Sequence, residues 1–422
     1  MNASRTDSPS RLLAPLSELL PELESTYKDL HAHPELSMQE TRTAALATKH
    51  LSQAGYEVTS GVGKTGVVGV LRNGDGPTVM MRADMDGLPI QEASGVDYAS
   101  TATMSDATGT MVPVAHACGH DMHVAWLMGA STLFARTRDA WKGTLIVLFQ
   151  PGEETAQGAR AMIADGLMTR FPKPEVVLGQ HVMLGPSGTV AGSSGPITSA
   201  ADSLKIRLFG RGAHGSMPQA SIDPVVMAAS AVLRLQTIVS REVAATESAV
   251  VTIGVLQAGS KENVIPDEAL IKLNVRTFDA EVRKRVLGAI ERIVNAEAQA
   301  SGAPRPSEIT PLDQYPLNVN DKAASDRIVE AFRAHFSADR VKHTGPAPAS
   351  EDFGCFGTAW HVPSVFWFVG GTDPDVYAKA RSEGRLNELP VNHSPKFAPV
   401  LHPTLQTGVE AMAIGALAWN KV

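Results

Sequence analysis

The sequence predicts an α/β protein with two domains. The larger domain has a central, mostly parallel sheet flanked by helices, and a smaller α+β domain is inserted into it. The chain has 422 residues, about two to three times the usual size of a single domain. Strand-like and helix-like segments alternate through the first half, which is typical of a parallel sheet covered by helices. After Gly195 the order becomes β-α-β-β-α, most of a split βαβ (ferredoxin-like) unit that can fold as a separate module.

The first half supplies the elements of the larger domain. Helices are predicted at residues 38–54, 122–137 and 159–165, and strands at residues 67–72, 78–82, 144–150 and 176–181. The last two are interpreted as buried strands, as expected in a parallel sheet that is covered by helices on both faces. Because active sites in such sheets lie at the C-terminal ends of the strands, we expect functional side chains there.

The inserted domain is predicted from the segment after Gly195. Strands are expected at residues 203–209, 249–256 and 269–276, and helices at residues 223–241 and 280–300. The first of these helices opens with Asp223-Pro224, a favourable helix start. From about Thr310 the first pattern resumes, with a helix at 321–336 and an apolar strand at 364–369. The predicted domains are therefore residues 1–196 with 310–422, and residues 197–309.

Composition and charge restrict the classes of partner. A formal net charge of -7 and a pI near 6.0 argue against nucleic acid, because phosphate binding needs concentrated Lys and Arg. Residues 1–20 lack the apolar core of a signal peptide, and the apolar strand at 145–149 is too short to span a bilayer, so no membrane partner is expected. The two cysteines, Cys118 and Cys355, do not form a disulfide framework and are expected to be reduced, which predicts a cytoplasmic location.

One segment with metal-ligand chemistry is His116-Ala-Cys118-Gly-His120-Asp121, just before a predicted helix. A thiolate and an imidazole two residues apart in a turn can converge on one or two metal ions, and Gly119 allows the backbone to bend between them. Asp121 could orient a ligand imidazole from behind. The alternative is a buried cysteine with surface histidines near a helix start, and this segment alone does not decide between the two.

A second segment carries adjacent carboxylates, Glu153 and Glu154, directly after the buried strand at 144–150. Neighbouring carboxylates repel, and a strand end near the core desolvates them, so a counter-cation is needed to keep both ionised. One carboxylate would bind metal and the other would move protons. A solvated loop at a strand end is the alternative, and the segment taken alone favours it.

Two further histidines extend the candidate set: His181 ends the strand predicted at 176–181, and His393 lies near the C-terminus. A single histidine is more often structural than a metal ligand. Thiol, imidazole and carboxylate groups nevertheless all fall at predicted strand ends of one sheet, as a catalytic two-metal site requires.

A series of short segments resembles the amidohydrolase branch of the aminoacylase/carboxypeptidase-G metallopeptidases. That branch includes hippurate hydrolases, bacterial N-acyl-amino-acid hydrolases and plant hydrolases of indole-acetyl-amino acids. The segments run in the family's order over nearly the whole chain: His31–Glu35, Arg82–Pro89, His116–His123, Gln150–Glu154, Gly179–Val182, Gly212–Ser216, Glu262–Asp267, Val275–Phe278, Ser350–Phe353 and Asn392–Pro395.

The resemblance implies a two-metal hydrolase whose cofactors are two divalent ions, Zn or else Mn, Co or Ni. Cys118 would bridge the ions, and their shells would be completed by His120, Glu154, His181 and His393. Glu153 would act as general base and acid on a metal-activated water. Asp86 would support a ligand or the base from behind, because this branch has Asp84-Met-Asp86 where the wider family has His-x-Asp.

The resemblance also gives the inserted domain the role of a lid and dimerisation domain in a homodimer. His214 would reach an active site, its own or that of the partner subunit, and stabilise the oxyanion. Asn263 and Arg276 would hold the carbonyl or carboxylate of the substrate. The implied activity is hydrolysis of the amide bond of N-acyl-L-amino acids, which are the small-molecule partners.

Two alternatives remain open. A dipeptidase or N-carbamoyl-amino-acid hydrolase would use the same site, and a catalytically silent binding homologue would keep only the fold. The segment at residues 99–115 is longer than in many members of this family and lies beside Cys118, where it would shape the acyl pocket.

Overall fold

A computed structural model describes residues 8–420, which form two compact units. The larger unit comprises the chain through Ile197, Val319–Gly345 and the segment from Asp352 onward. The smaller unit comprises Thr198–Asn318 and Pro346–Glu351. The predicted fold class, a mostly parallel sheet with helices plus a smaller α+β unit, is confirmed.

The helices and strands are numbered here in chain order. The α-helices are α1 Ser8–Leu13, α2 Leu16–Ala32, α3 Thr41–Gln53, α4 His120–Arg136, α5 Gly158–Ala164, α6 Leu167–Arg170, α7 Pro224–Arg241, α8 Ala280–Ala300, α9 Lys322–His335, α10 Gly354–Trp360, α11 Pro374–Ser382 and α12 Leu401–Leu417. The strands are β1 Glu57–Val62, β2 Gly66–Asn73, β3 Thr78–Asp84, β4 Thr103–Ser105, β5 Met111–Pro113, β6 Gly143–Gln150, β7 Val176–Pro186, β8 Val190–Gly192, β9 Gly195–Thr198, β10 Ala200–Phe209, β11 Ala213–His214, β12 Ala249–Ala258, β13 Val264–Ile265, β14 Glu268–Thr277, β15 Glu308–Tyr315, β16 Asn318–Asn320, β17 Val341–His343 and β18 Ser364–Thr372.

The larger unit is built on an eight-stranded sheet in the order β1-β2-β6-β3-β7-β18-β8-β17. Its central strands β6, β3, β7 and β18 are parallel, and β2 joins β6 antiparallel. The middle of β6, from Leu145 to Phe149, is fully buried, as in sheets covered by helices on both faces. Helix α4 is buried along nearly its whole length and packs between α2, α3 and α12.

The smaller unit is a four-stranded antiparallel sheet in the order β12-β14-β10-β15, packed against α7 and α8. Both helices begin at an aspartate whose side chain accepts from the first turn: Asp223 accepts from the backbone of Val225, and Asp279 from that of Glu281. The unit has its own apolar core, separate from that of the larger unit.

Strand β15 departs from the predicted domain boundary. The segment from Thr310 was assigned to the larger domain, but β15 pairs with β10, so that Ile309 lies opposite Ile206. The chain enters the larger unit again only at Val319. The hydrophobic pattern fails here because β15 is an edge strand in which half of the residues are polar and none is buried.

Within the described residues, no helix combines the length and the apolar character needed to cross a membrane.

Candidate metal centre

The candidate centre lies where parallel strands of the larger sheet end near the beginning of α4. Strand β3 ends at Asp84, and β6 ends shortly before Glu153 and Glu154. Helix α4 begins at His120, and His181 lies within the neighbouring strand β7. The parallel pairing of β6, β3 and β7 brings these chain segments to one edge of the sheet.

The turn before α4 depends on Gly119, which has φ +83° and precedes the first helical residue. A Cβ atom at this position would lie 2.4 Å from Cγ1 of Val182, so both conformation and space favour glycine. The sharp turn places Cys118 next to β7, with its Sγ atom 3.5 Å from Nε2 of His181.

The orientation of His181 is fixed by its own strand. Its Nδ1 lies 2.8 Å from the backbone oxygen of Val182, so Nδ1 carries the hydrogen and Nε2 keeps a free electron pair. Burial, together with nearby His123, lowers the pKa of His181 well below its usual value. The neutral imidazole is the form that binds metal.

Glu154 links two of the predicted imidazole ligands. One carboxylate oxygen lies 3.8 Å from Nε2 of His120 and the other 3.3 Å from Nε2 of His393. His393 has the left-handed backbone conformation, with φ +70°, and its N–H donates to the backbone oxygen of Ala117. This contact holds the loop beside the Cys118 turn.

All five predicted metal ligands occur in groups of three whose donor atoms lie within 4.8 Å of one another. The groups are Cys118 with His120 and His181, Cys118 with Glu154 and His393, and His120 with Glu153 and Glu154. Cys118, His120 and Glu154 each belong to two of these groups, which places the three groups around one shared site. Thiolate and imidazole with a carboxylate suit Zn and its neighbours among the divalent metals.

The hydrogen bonding of these side chains and the pKa of Cys118 are also consistent with a bound cation. Nε2 of His120 and one carboxylate oxygen of Glu154 are buried and make no hydrogen bond among the described residues. Burial, reinforced by the charges of Glu154 and Glu153, raises the pKa of the Cys118 thiol well above its usual value. A divalent cation would satisfy the two unpaired atoms and would favour the thiolate.

His120 lies among carboxylates. Its Nδ1 is 3.2 Å from Asp86, and its Nε2 is 3.7 Å from Asp84. Burial lowers the pKa of His120, but Asp84, Asp86 and Glu154 outweigh it and raise the pKa to about 10. The surplus of negative charge is the electrostatic condition for binding cations.

Asp86 supports the turn that carries the two glutamates. Its two carboxylate oxygens accept the backbone N–H groups of Glu153 and Glu154 at 3.2 and 3.0 Å, and one of them also accepts the hydroxyl of Ser37. Asp86 also contacts the predicted ligand His120 directly, with an oxygen 3.2 Å from its Nδ1. Asp86 therefore holds the main chain of both glutamates and contacts His120.

A buried network that the sequence did not reveal lies behind the predicted ligands. Arg82 donates to Asp84 at 2.7 Å, and Asp84 accepts from Nδ1 of His123 at 2.6 Å. Nε2 of His123 in turn accepts the backbone N–H of Val182, next to His181. Asp84 and His123 stand within the segments that carry the family resemblance, yet spacing in the sequence gives no sign of their pairing.

Three predicted positions differ from the structure. His181 was expected at a strand end, but β7 continues past it to Pro186 because β18 pairs alongside. Cys118 lies in the turn before α4, and His393 lies in a loop, so neither follows a strand of the main sheet. The predicted ligands converge through a helix start and a loop as well as through strand ends.

The predicted substrate residues all lie in the smaller unit. His214 in β11 pairs with Val264 in β13, which places it beside the exposed Asn263. Nδ1 of His214 is 2.8 Å from the hydroxyl of Ser216. Arg276, half-buried in β14, donates to Asn274 at 2.9 Å and to Ser350 at 2.6 Å.

An α/β sheet with buried thiol, imidazole and carboxylate donors at one edge defines a metal-dependent hydrolase with a two-metal centre. The chain belongs to the Peptidase family M20/M25/M40, whose family model matches residues 80–388. It is therefore a hydrolase that acts on amide bonds, and the resemblance found in the sequence is confirmed.

Relatives support this membership over most of the chain. The N-acetyl-L-cysteine deacetylase of Bacillus subtilis (strain 168) is 37% identical over 366 residues, covering 85% of this chain and 82% of the relative. The hippurate hydrolase of Campylobacter jejuni is 38% identical over 348 residues, covering 82% and 87%. Among solved structures, the Bacillus subtilis YXEP protein, described as a dinuclear metal-binding peptidase from the M20 family, matches with a TM-score of 0.75 at 28% identity, covering 96% and 99%.

Proposed function

We propose that this protein hydrolyses the amide bond of N-acyl-L-amino acids, with Cys118, His120, Glu154, His181 and His393 holding two divalent ions. The observation that carries the proposal is the pair Glu153 and Glu154. Glu154 contacts two predicted imidazole ligands. Glu153 is 95% buried beside the same site, with a carboxylate oxygen 3.9 Å from Nε2 of His120, and we assign proton transfer to it.

The proposed roles of the metal ions and of Glu153 follow from these positions. Divalent ions in such a site supply Lewis acidity and lower the pKa of water toward neutrality. Glu153 takes the proton of the attacking water at a carboxylate oxygen and delivers it to the leaving nitrogen. Its backbone N–H is held by Asp86, so the base stands on a fixed turn.

The smaller unit serves, in this proposal, as the lid and the dimerisation domain. Arg276 binds the free carboxylate of the amino acid, with Asn263 on the carbonyl and His214 on the developing oxyanion. Arg276 is near the end of β14, while His214 and Asn263 lie beyond its beginning at Glu268. At roughly 3.3 Å per residue, β14 separates them by about 26 Å. One copy of this unit cannot bring both ends to one small substrate.

A homodimer resolves this separation, because His214 of one subunit can serve the active site of the other. We also place the protein in the cytoplasm, where a reducing environment preserves the Cys118 thiol. Neither cysteine forms a disulfide in the structure.

The test is hydrolysis of a substrate panel by enzyme reconstituted with Zn, Mn, Co or Ni, before and after chelation. The panel contains acetyl and benzoyl amino acids, dipeptides and N-carbamoyl amino acids. We expect the acyl amino acids to be preferred, turnover to stop on chelation, and two metal ions per chain by mass spectrometry. Matched amides without the free carboxylate should react poorly because they cannot pair with Arg276.

The same panel separates the alternatives. Preference for dipeptides or carbamoyl substrates would replace the proposed substrate class while keeping the site. Metal binding without turnover on any substrate would indicate a silent binding homologue.

A further inference from the structure

Glu40 is a fully buried carboxylate at the start of α3 that joins three separate parts of the larger unit. One of its oxygens accepts the backbone N–H groups of Met38 and Gly152, each at 2.7 Å. The other accepts the hydroxyl of Thr65 at 2.5 Å. Of these partners, Gly152 directly precedes Glu153 and Glu154.

The turn that follows β6 depends on such carboxylates. Glu40 accepts the N–H of Gly152, Asp86 accepts those of the next two residues, and Asp352 accepts that of Ala159 at 3.1 Å. Ala159 lies in the first turn of α5, where N–H groups have no partner within the helix, and the turn before it is irregular, with φ +54° at both Gly152 and Ala156. Buried N–H groups of this kind need fixed acceptors.

We infer that Glu40 is a positioning residue for the reaction: it sets the main chain at Gly152 and thereby the placement of the base Glu153. The inference rests on the proposed role of Glu153. Asp86 holds the turn from the side of His120, and Glu40 holds it from the side of α3. Together, the two carboxylates accept three successive backbone N–H groups, those of residues 152 to 154. The main chain of the turn therefore has little freedom to rotate.

Glu40→Leu tests this role because leucine fills a similar volume but cannot accept the N–H of Gly152. Glu40→Gln is the conservative variant: its amide oxygen can accept both N–H groups, and the hydroxyl of Thr65 can turn to face the amide nitrogen. Burial, with the nearby charge of Asp86, raises the pKa of Glu40 to about 7, so a neutral amide is a close substitute.

Glu35→Leu is the matched control. Glu35 is also buried and also accepts three hydrogen bonds, from the hydroxyl of Thr41 and the backbones of Arg42 and Thr43. All three bonds cap α3, and none reaches the turn after β6. Loss of stability is common to both leucine variants, whereas displacement of the turn is specific to Glu40.

We expect Glu40→Leu to lower kcat about tenfold to a hundredfold, as misplacement of a catalytic group by about 1 Å does, with KM within twofold. Glu40→Gln should recover most of kcat, and Glu35→Leu should keep kcat within twofold at a similar Tm. Backbone hydrogen exchange across residues 150–159 should accelerate in Glu40→Leu and not in Glu35→Leu. If Glu40→Leu fails to fold, Thr65→Val, which removes the hydroxyl from Glu40, should show both effects to a smaller degree.

Equal losses of kcat in the two leucine variants, or unchanged exchange across the turn, would overturn the inference. Hydrogen exchange requires no substrate, so it decides the role of Glu40 in the turn even if the wild-type enzyme rejects every N-acyl amino acid. That second outcome would defeat the proposed function alone.

Discussion

At the scale of single residues, the two adjacent glutamates of the turn after β6 differ in what they touch. Asp86 accepts the backbone N–H of both. The carboxylates of Glu153 and Glu154 lie 3.9 and 3.8 Å from Nε2 of His120, and Glu154 also contacts His393. The proposed function gives these two chemically identical side chains different roles, with Glu154 binding metal and Glu153 moving protons. Substitution of each glutamate in turn tests this assignment.

Glu153→Gln is therefore expected to keep two metal ions per chain and to lose at least about a hundredfold in kcat, because an amide cannot take up the proton. Metal content by mass spectrometry and steady-state kinetics on the same sample measure both. Glu154→Gln is the matched comparison and should lose metal as well as turnover. If Glu153→Gln lost its metal, or retained wild-type kcat, Glu153 would not be the base.

A functional residue can be predicted from the sequence when the residues it acts with are close to it in the chain. Cys118 and His120 could be found because two donors share one short turn. Glu40 could not, since its partners Thr65 and Gly152 are distant in the chain and one of them contributes only a backbone N–H. Hydrogen bonds to the main chain leave no mark on side-chain patterns.

At the scale of elements, buried strands and amphipathic helices were predicted well because apolar periodicity reports on burial. Strand β6 and helix α8 lie within a residue of their predicted bounds. The extension of β7 past His181 and the pairing of β15 were not predicted, because a strand's length and partner depend on its neighbours. The predicted ligands nevertheless converge, since the start of α4 is fixed by Gly119.

Gly119→Ala tests the start of α4. Alanine would have to adopt φ +83° with its Cβ 2.4 Å from a methyl group of Val182. Gly95→Ala is the control, because Gly95 has φ +84° and open space around the added atom. We expect Gly95→Ala to lower the free energy of unfolding by about 1 kcal/mol through backbone strain. Gly119→Ala should cost about 1–3 kcal/mol more through the steric clash.

Urea unfolding measures both variants, and metal content gives a second reading for Gly119→Ala. Displacement of Cys118 and His120 should reduce the metal bound per chain, which Gly95→Ala should leave unchanged. Equal destabilisation of the two variants would show that contact with β7 does not fix the helix start.

At the scale of the whole molecule, buried charge links stability to pH. His31 at the end of α2 lies between two carboxylates: its Nδ1 is 2.6 Å from Asp121 on α4, and its Nε2 is 2.9 Å from Glu92 in the segment before β4. Three parts of the larger unit are thus joined by one imidazolium. Burial lowers the pKa of His31, but Asp121 and Glu92 outweigh it and raise the pKa to about 10.

This arrangement gives a definite sign to the pH dependence. The folded pKa of His31 lies above the unfolded value of about 6.5, so its stabilisation is complete below that pH and is lost as the pH rises toward 10. Glu92→Gln removes one of the two carboxylates and should lower the folded pKa. The difference in unfolding free energy between wild type and Glu92→Gln should therefore be largest near pH 6 to 7 and shrink steadily toward pH 10.

Urea unfolding at several pH values measures this difference in unfolding free energy. A difference that stayed constant or widened with pH would mean that His31 is not protonated between its two carboxylates.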